Sequence, residues 1–158
     1  MNILFVCTGN TCRSAIAEAY CNARAKEYDL PLQAESAGIA ALNGQTASED
    51  AIEAMEELYQ MDLSEHRSRQ VTGTLVEQAD LVLAMTGMQR EIIQESYPEF
   101  SDRIHTLAGY VRQLSSEPEE PSQEIPDPYG RGKTVYLETA QNIAVQIDRL
   151  IACISRIS

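Results

Sequence analysis

The sequence predicts an α/β fold: a single-domain three-layer sandwich over residues 1–158, with a central four-stranded parallel sheet and helices on both faces. Two observations carry this reading. Short apolar runs without polar interruption, at residues 3–6 (ILFV) and 81–85 (LVLAM), have the pattern of central parallel strands covered on both sides. Longer segments with apolar residues at helical spacing alternate with such runs, and right-handed crossovers then bring the strands parallel into one sheet. A chain of 158 residues, 44% of them hydrophobic, can bury one core of ordinary size.

The elements follow in order. Residues 3–6 form the first strand, and after the octet Cys7-Thr8-Gly9-Asn10-Thr11-Cys12-Arg13-Ser14 an alanine-rich helix is expected over residues 15–28, with Ser14 as its N-cap. Residues 32–37 read as a second strand stopped by Gly38, and Ser48 starts a helix carrying Ile52, Met55, Leu58 and Tyr59 on one face. The strand at 81–85 leads to Thr86, the cap of a helix reaching residue 97, and residues 103–107 make a short fourth strand. Residues 115–126 hold three prolines and four glutamates and form a solvated loop. A long C-terminal helix over 134–156 places Val135, Leu137, Ile143, Val145, Ile147, Leu150, Ile151 and Ile154 against the sheet.

Composition narrows the partners. A formal net charge of -12 argues against nucleic acid, because few cations are available to release counterions from phosphates. No stretch approaches the roughly 20 apolar residues of a membrane span. Four cysteines, Cys7, Cys12, Cys21 and Cys153, are too sparse for a disulfide scaffold, so a reducing, cytoplasmic compartment is expected; the expected state is a monomer or weak dimer.

The octet carries the chemistry. It sits at the carboxyl end of a buried strand, the edge where ligands bind in parallel sheets. Backbone N–H groups from Thr8, Gly9, Asn10, Thr11, Cys12, Arg13 and Ser14 can converge on one anion, with Gly9 and Asn10 tolerating the positive φ such a loop needs. Arg13 can grip two equatorial oxygens of a phosphate in a bidentate fork, and the local positive potential favours the thiolate of Cys7. A nucleophile thus lies beneath bound phosphate. Zinc binding by Cys7 and Cys12 is rejected, since the only histidines, His66 and His105, have no ligand-like spacing; a nucleotide loop at residues 130–134 lacks its first glycine.

The octet, read with Ser36-Ala37-Gly38, His66-Arg67-Ser68-Arg69-Gln70, residues 79–85 and Asp127-Pro128-Tyr129, resembles the low-molecular-weight protein tyrosine phosphatase family over nearly the whole chain. The resemblance implies a phosphocysteine mechanism on a phosphorylated protein substrate, without metal or cofactor. In it Cys7 attacks phosphorus, Arg13 stabilises the transferring group, and Asp127 protonates the leaving atom and then activates water. Asn10, Ser14, Ser36 and His66 match a supporting network behind the loop.

Thr11 narrows the match to the family's bacterial protein arginine phosphatase branch, because tyrosine-specific members usually carry a larger aliphatic residue there. A hydroxyl can bond near a P–N bond, and the loss of aliphatic surface weakens contact with an aryl ring. Residues 40–43 (AALN) offer no aromatic wall, whereas Tyr129 could stack on a phenol or a guanidinium. The alternative is a phosphotyrosine enzyme; an arsenate reductase fits less well, since Cys21 and Cys153 do not sit at relay positions, and Arg13 and Asp127 argue against a cysteine phosphocarrier. Ala15, where the family commonly has proline, and Gly130-Arg131-Gly132 depart from the pattern. Cys12, beside the nucleophile, is also placed to trap oxidised Cys7 as a disulfide.

Overall fold

The computed structural model describes residues 1–118 and 124–157. Four parallel strands, β1 (Asn2–Cys7), β2 (Gln33–Gly38), β3 (Leu81–Ala84) and β4 (Ile104–Thr106), form one sheet in the order β2-β1-β3-β4. Strand β1 therefore lies inside the sheet, with β2 on one side and β3 on the other. Among the described residues six α-helices surround it, α1 (Arg13–Glu27), α2 (Glu49–Tyr59), α3 (Gly73–Gln78), α4 (Gly87–Ser96), α5 (Leu107–Leu114) and α6 (Lys133–Ile157), with a 3-10 helix at Pro98–Arg103 before β4.

The pleat of β1 divides the molecule into its layers. Ile3, Phe5 and Cys7 face a larger core shared with Ile16 and Tyr20 of α1 and with Tyr136, Ile143 and Ile147 of α6. Leu4 and Val6 face a smaller one with Val76 of α3 and Ile93 of α4. This is the expected sandwich, with helices on both faces.

Some expectations are corrected. Helix α1 begins at Arg13, with Cys12 at the N-cap position, so Ser14 lies inside the first turn and does not cap it. Val145 is 56% exposed; the buried stripe of α6 runs through Tyr136, Ala140, Ile143, Ala144, Ile147 and Ile151, and Val145 is turned about 100° from Ala144. Helices α3 and α5 escape a reading by periodicity. The first has six residues with only Val76 buried, and the second begins at Leu107 with no loop after β4, its cap Thr106 being the last strand residue. In the anticipated 115–126 loop, residues 119–123 lie outside the described residues.

Candidate active site

The octet spans the gap between β1 and α1, at the carboxyl edge of the sheet. Its neighbour β2 ends at Gly38 for a steric reason: a Cβ there would stand 2.5 Å from the carbonyl oxygen of Thr8. That close approach lets the N–H groups of Ile39 and Ala40 bond the carbonyls of Cys7 and Thr8, both at 3.0 Å. The loop turns at Asn10, with φ of 58°; Gly9, expected to share the left-handed conformation, does not adopt it.

A buried hydrogen-bond network explains why Asn10 holds that conformation. Its Nδ2 donates to Ser14 Oγ (2.8 Å) and Ser36 Oγ (2.9 Å), its Oδ1 accepts from the backbone N–H of Arg69 (3.0 Å), and its carbonyl accepts from His66 Nε2 (2.7 Å). Ser14 Oγ, which accepts from Asn10, lies 2.8 Å from Cys7 Sγ and donates to that sulfur when it is a thiolate, and the backbone N–H of Asn10 donates to the same sulfur at 3.3 Å. Ser36, accepting likewise from Asn10, donates to the Glu18 carboxylate. The sulfur of Cys7 thus receives two donors at the start of a helix, an arrangement that suits a thiolate. Hydrogen bonds bring Ser14, Ser36, His66 and Asn10 together, with Ser14 as a partner of the sulfur and not as a cap.

Arg13 is 4% exposed. Its Nη1 donates to the carbonyl of Ile125 at 2.9 Å, its Nη2 lies 3.9 Å from Asp127 Oδ2, and among the described residues its buried Nε has no hydrogen-bond partner. A buried guanidinium N–H is costly to leave unmatched, and an oxyanion in the cradle would match it. Asp127 folds back in an Asx turn, its Oδ1 accepting from the N–H of Tyr129 at 3.0 Å, and the same oxygen lies 3.9 Å from the thiol sulfur of Cys12. Burial, and then the charge of Cys7, push that thiol up to about 12, so Cys12 remains protonated and able to donate. Tyr129 is 75% exposed at the lip.

The rest of the loop is tied to neighbouring elements. The carbonyl of Thr11 accepts from the N–H of Ser48, the N-cap of α2, at 2.8 Å, and Thr8 Oγ1 accepts from Gln89 Nε2 of α4 at 3.1 Å. Gln89, Glu18, Arg69 and Ile125 are participants that residue-by-residue reading missed. Two left signals: Gln89 completes the T-x-x-Q capping box of Thr86, and Ile125 is the one apolar residue among the prolines and glutamates of the loop before Asp127. Among the described residues no group of three or more His, Cys, Asp or Glu is placed to hold a metal ion, and no helix is long and apolar enough to cross a membrane.

A buried cysteine under an anion-binding loop, an arginine at the loop's end and a carboxylate facing it define a class: α/β enzymes that displace phosphoryl groups through a thiolate. Within that class, the chain belongs to the low molecular weight phosphotyrosine protein phosphatase family, whose model matches residues 2–157. A protein-arginine-phosphatase of Bacillus subtilis (strain 168) is 36% identical over 143 residues, 90% of this chain and 89% of its own. The low molecular weight protein-tyrosine-phosphatase PtpB of Staphylococcus aureus is 35% identical over 95% of this chain and 96% of its own. Among solved structures, a low molecular weight protein tyrosine phosphatase from T. tengcongensis superposes with a TM-score of 0.88 at 38% identity, covering 96% of this chain and 98% of that one. The YwlE arginine phosphatase, solved as a C7S mutant with a phosphorylated active-site serine, has a TM-score of 0.86 at 35% identity over 95% of this chain and 93% of its own. Membership makes the protein a phosphatase.

Proposed function

We propose that the protein removes phosphate from phosphoarginine side chains of other proteins. Cys7, as thiolate, attacks phosphorus in line; the P–N bond breaks and the leaving guanidine nitrogen takes the proton of Asp127. Arg13 and the loop N–H groups of Thr8, Gly9, Thr11, Cys12 and Ser14 hold the equatorial oxygens as their charge is redistributed, while the N–H of Asn10, which donates to the Cys7 sulfur in the resting site, turns between the two. Water then attacks the phosphocysteine, Asp127 accepts its proton, and inorganic phosphate and the Cys7 thiolate are released. Asn10, Ser14, Ser36 and His66 position the loop and the sulfur. The enzyme works in the cytoplasm, as a monomer or weak dimer.

The observation that carries the arginine reading is Thr11, a small hydroxyl residue between the left-handed Asn10 and the N-cap Cys12, held by Ser48. An aliphatic side chain there would favour an aryl ring, whereas a hydroxyl can bond the departing guanidine. Phosphotyrosine is the second reading, favoured by the exposed ring of Tyr129 and by the relatives named as tyrosine phosphatases. Neither of the remaining cysteines supports a disulfide relay: Cys21 is fully buried in the core, and Cys153 lies on α6 with Ser115 Oγ 3.7 Å from its sulfur.

The test is kcat/KM on matched phosphoarginine and phosphotyrosine peptides, for the native enzyme and for Thr11→Ile. The native enzyme should favour phosphoarginine, and the substitution should shift the ratio toward phosphotyrosine by about tenfold or more. A ratio that Thr11→Ile leaves unchanged would refute the role of Thr11.

A further inference from the structure

The side chain of Asp127, at the end of the loop segment 124–127, must meet the leaving atom within hydrogen-bond distance. The structure ties this loop to one short turn. Ile125, two residues before Asp127, is 1% exposed in the larger core, and its N–H donates to the carbonyl of Met85 at 2.9 Å. Glu124, exposed, accepts from the N–H of Gly87 at 3.0 Å through Oε1, which places its carboxylate at the positive end of α4. Pro126 restricts the single residue left between Ile125 and Asp127.

The same turn holds the cradle from its other side. Met85 donates its N–H to the carbonyl of Val6 at 3.1 Å, one residue before the nucleophile. The Gln89 side chain, almost fully buried, accepts from the N–H groups of Met85 and Thr86 (3.1 and 3.0 Å) and donates to Thr8 Oγ1. Residues 85–89 therefore bond the strand and loop that carry Cys7 and also the segment that carries Asp127. Arg13 closes the circuit, since Nη1 of this cradle residue donates to the Ile125 carbonyl.

We infer that the β3–α4 turn sets the distance between nucleophile and proton donor, and that Glu124 is a positioning residue acting through Asp127. The inference rests on the reading of Asp127 as the acid. Glu124 touches none of the reacting atoms; its carboxylate pins the near end of the acid segment to a helix terminus that is itself fixed to the cradle. A glutamine retains an acceptor oxygen at that place, whereas an alanine removes this anchor and leaves the bonds of Ile125 to Met85 and Arg13.

The experiment compares kcat/KM for p-nitrophenyl phosphate, whose leaving group departs with little protonation, and phenyl phosphate, whose leaving group needs it, in Glu124→Ala, Glu124→Gln, Asp127→Asn and the Glu124→Ala/Asp127→Asn double variant. Expected for Glu124→Ala is a loss about tenfold larger for phenyl phosphate than for p-nitrophenyl phosphate, a fraction of what a general acid supplies. Glu124→Gln should restore most of that difference, and in the Asp127→Asn background Glu124→Ala should cost nothing more for either substrate. A purely structural contribution would lower both substrates alike and add to the Asp127→Asn loss, and either result would overturn the inference. An Asp127→Asn single variant without leaving-group dependence would instead overturn the acid assignment, and the inference with it. Tm values for all four proteins show that each is folded.

Discussion

The hydroxyl of Ser14 lies 2.8 Å from the sulfur of Cys7 and donates to it when Cys7 is a thiolate, which can only accept, while the same oxygen accepts from Asn10 Nδ2. A serine that opens a helix most often serves the helix. Here it serves the preceding strand's last residue, and the two roles predict different phenotypes. Ser14→Ala removes one donor from the thiolate and leaves one Asn10 N–H without its acceptor. A hydrogen bond to a charged group contributes about 1.5–3 kcal/mol, so kcat should fall about ten- to a hundredfold with KM little changed. A lost cap would instead lower Tm and leave kcat alone; steady-state kinetics beside thermal unfolding separates the two.

Gly38 makes a second prediction. Its missing Cβ is what allows Thr8 O to approach the β2 end, and the obstacle a side chain would meet at 2.5 Å is backbone, which cannot swing aside. Gly38→Ala must push the cradle away from Ala40 and Ile39, and it should cost about 1–3 kcal/mol in stability. Activity should fall further than stability at temperatures where the variant is fully folded, because the displaced atoms belong to the anion site. Wild-type kcat/KM in a folded Gly38→Ala variant would show that the close approach is not needed for catalysis.

The sequence made the fold legible where a run of residues was either uniformly apolar, as in β1 and β3, or capped by a residue with an obvious hydrogen-bonding role, as with Ser48 and Thr86. Helices α3 and α5 were illegible because one is too short to show a period and the other shares its cap with a strand. At the site, the meeting of Cys7 and Arg13 was legible from their order along the chain, whereas Asp127, in an Asp-Pro that reads locally as a turn, entered only through the family resemblance. Their supports could not all be named: Gln89 lies 81 residues from Thr8 and Ile125 lies 112 from Arg13, and no local pattern reveals a contact at that separation. Ser14 shows the complementary failure. Its local pattern pointed to a cap, and a tertiary partner, Cys7, prevailed.

Cys21 and Tyr20 give the stability of the fold a pH dependence. Burial pushes Cys21 up to about 12 from an ordinary value of 9.0, and burial followed by the bond to Asp148 pushes Tyr20 up to about 12 from 10.0. Both groups keep their protons in the folded state where the unfolded chain would give them up. Stability is therefore intact below pH 9 and is lost as pH rises toward 12, at about 1.4 kcal/mol per pH unit for each group within its window. Denaturant unfolding at steps between pH 8 and about 11 should show the decline. Cys21→Ala should flatten its slope, whatever the substitution does to stability at pH 7; an unchanged slope would mean that the buried thiol does not contribute.

Cys12 yields the last prediction, on what peroxide does to the site. Peroxide converts Cys7 to a sulfenic acid, and a Cys12 thiolate can attack that sulfur to form a disulfide and release hydroxide. The structure makes the thiolate scarce: burial is the larger reason the Cys12 proton is held, and the charge of Cys7, which oxidation removes, is the second. At neutral pH the crosslink therefore competes poorly with further oxidation of Cys7. Its rate should rise about tenfold per pH unit from pH 7 to 9, as the thiolate fraction does. Peptide mass spectrometry after a fixed peroxide pulse should find Cys7 mostly over-oxidised at pH 7 and increasingly linked to Cys12 at pH 9. A crosslink yield independent of pH would mean that oxidation opens the loop and exposes Cys12 before the thiol reacts, so that its burial in the resting enzyme would no longer limit the rate.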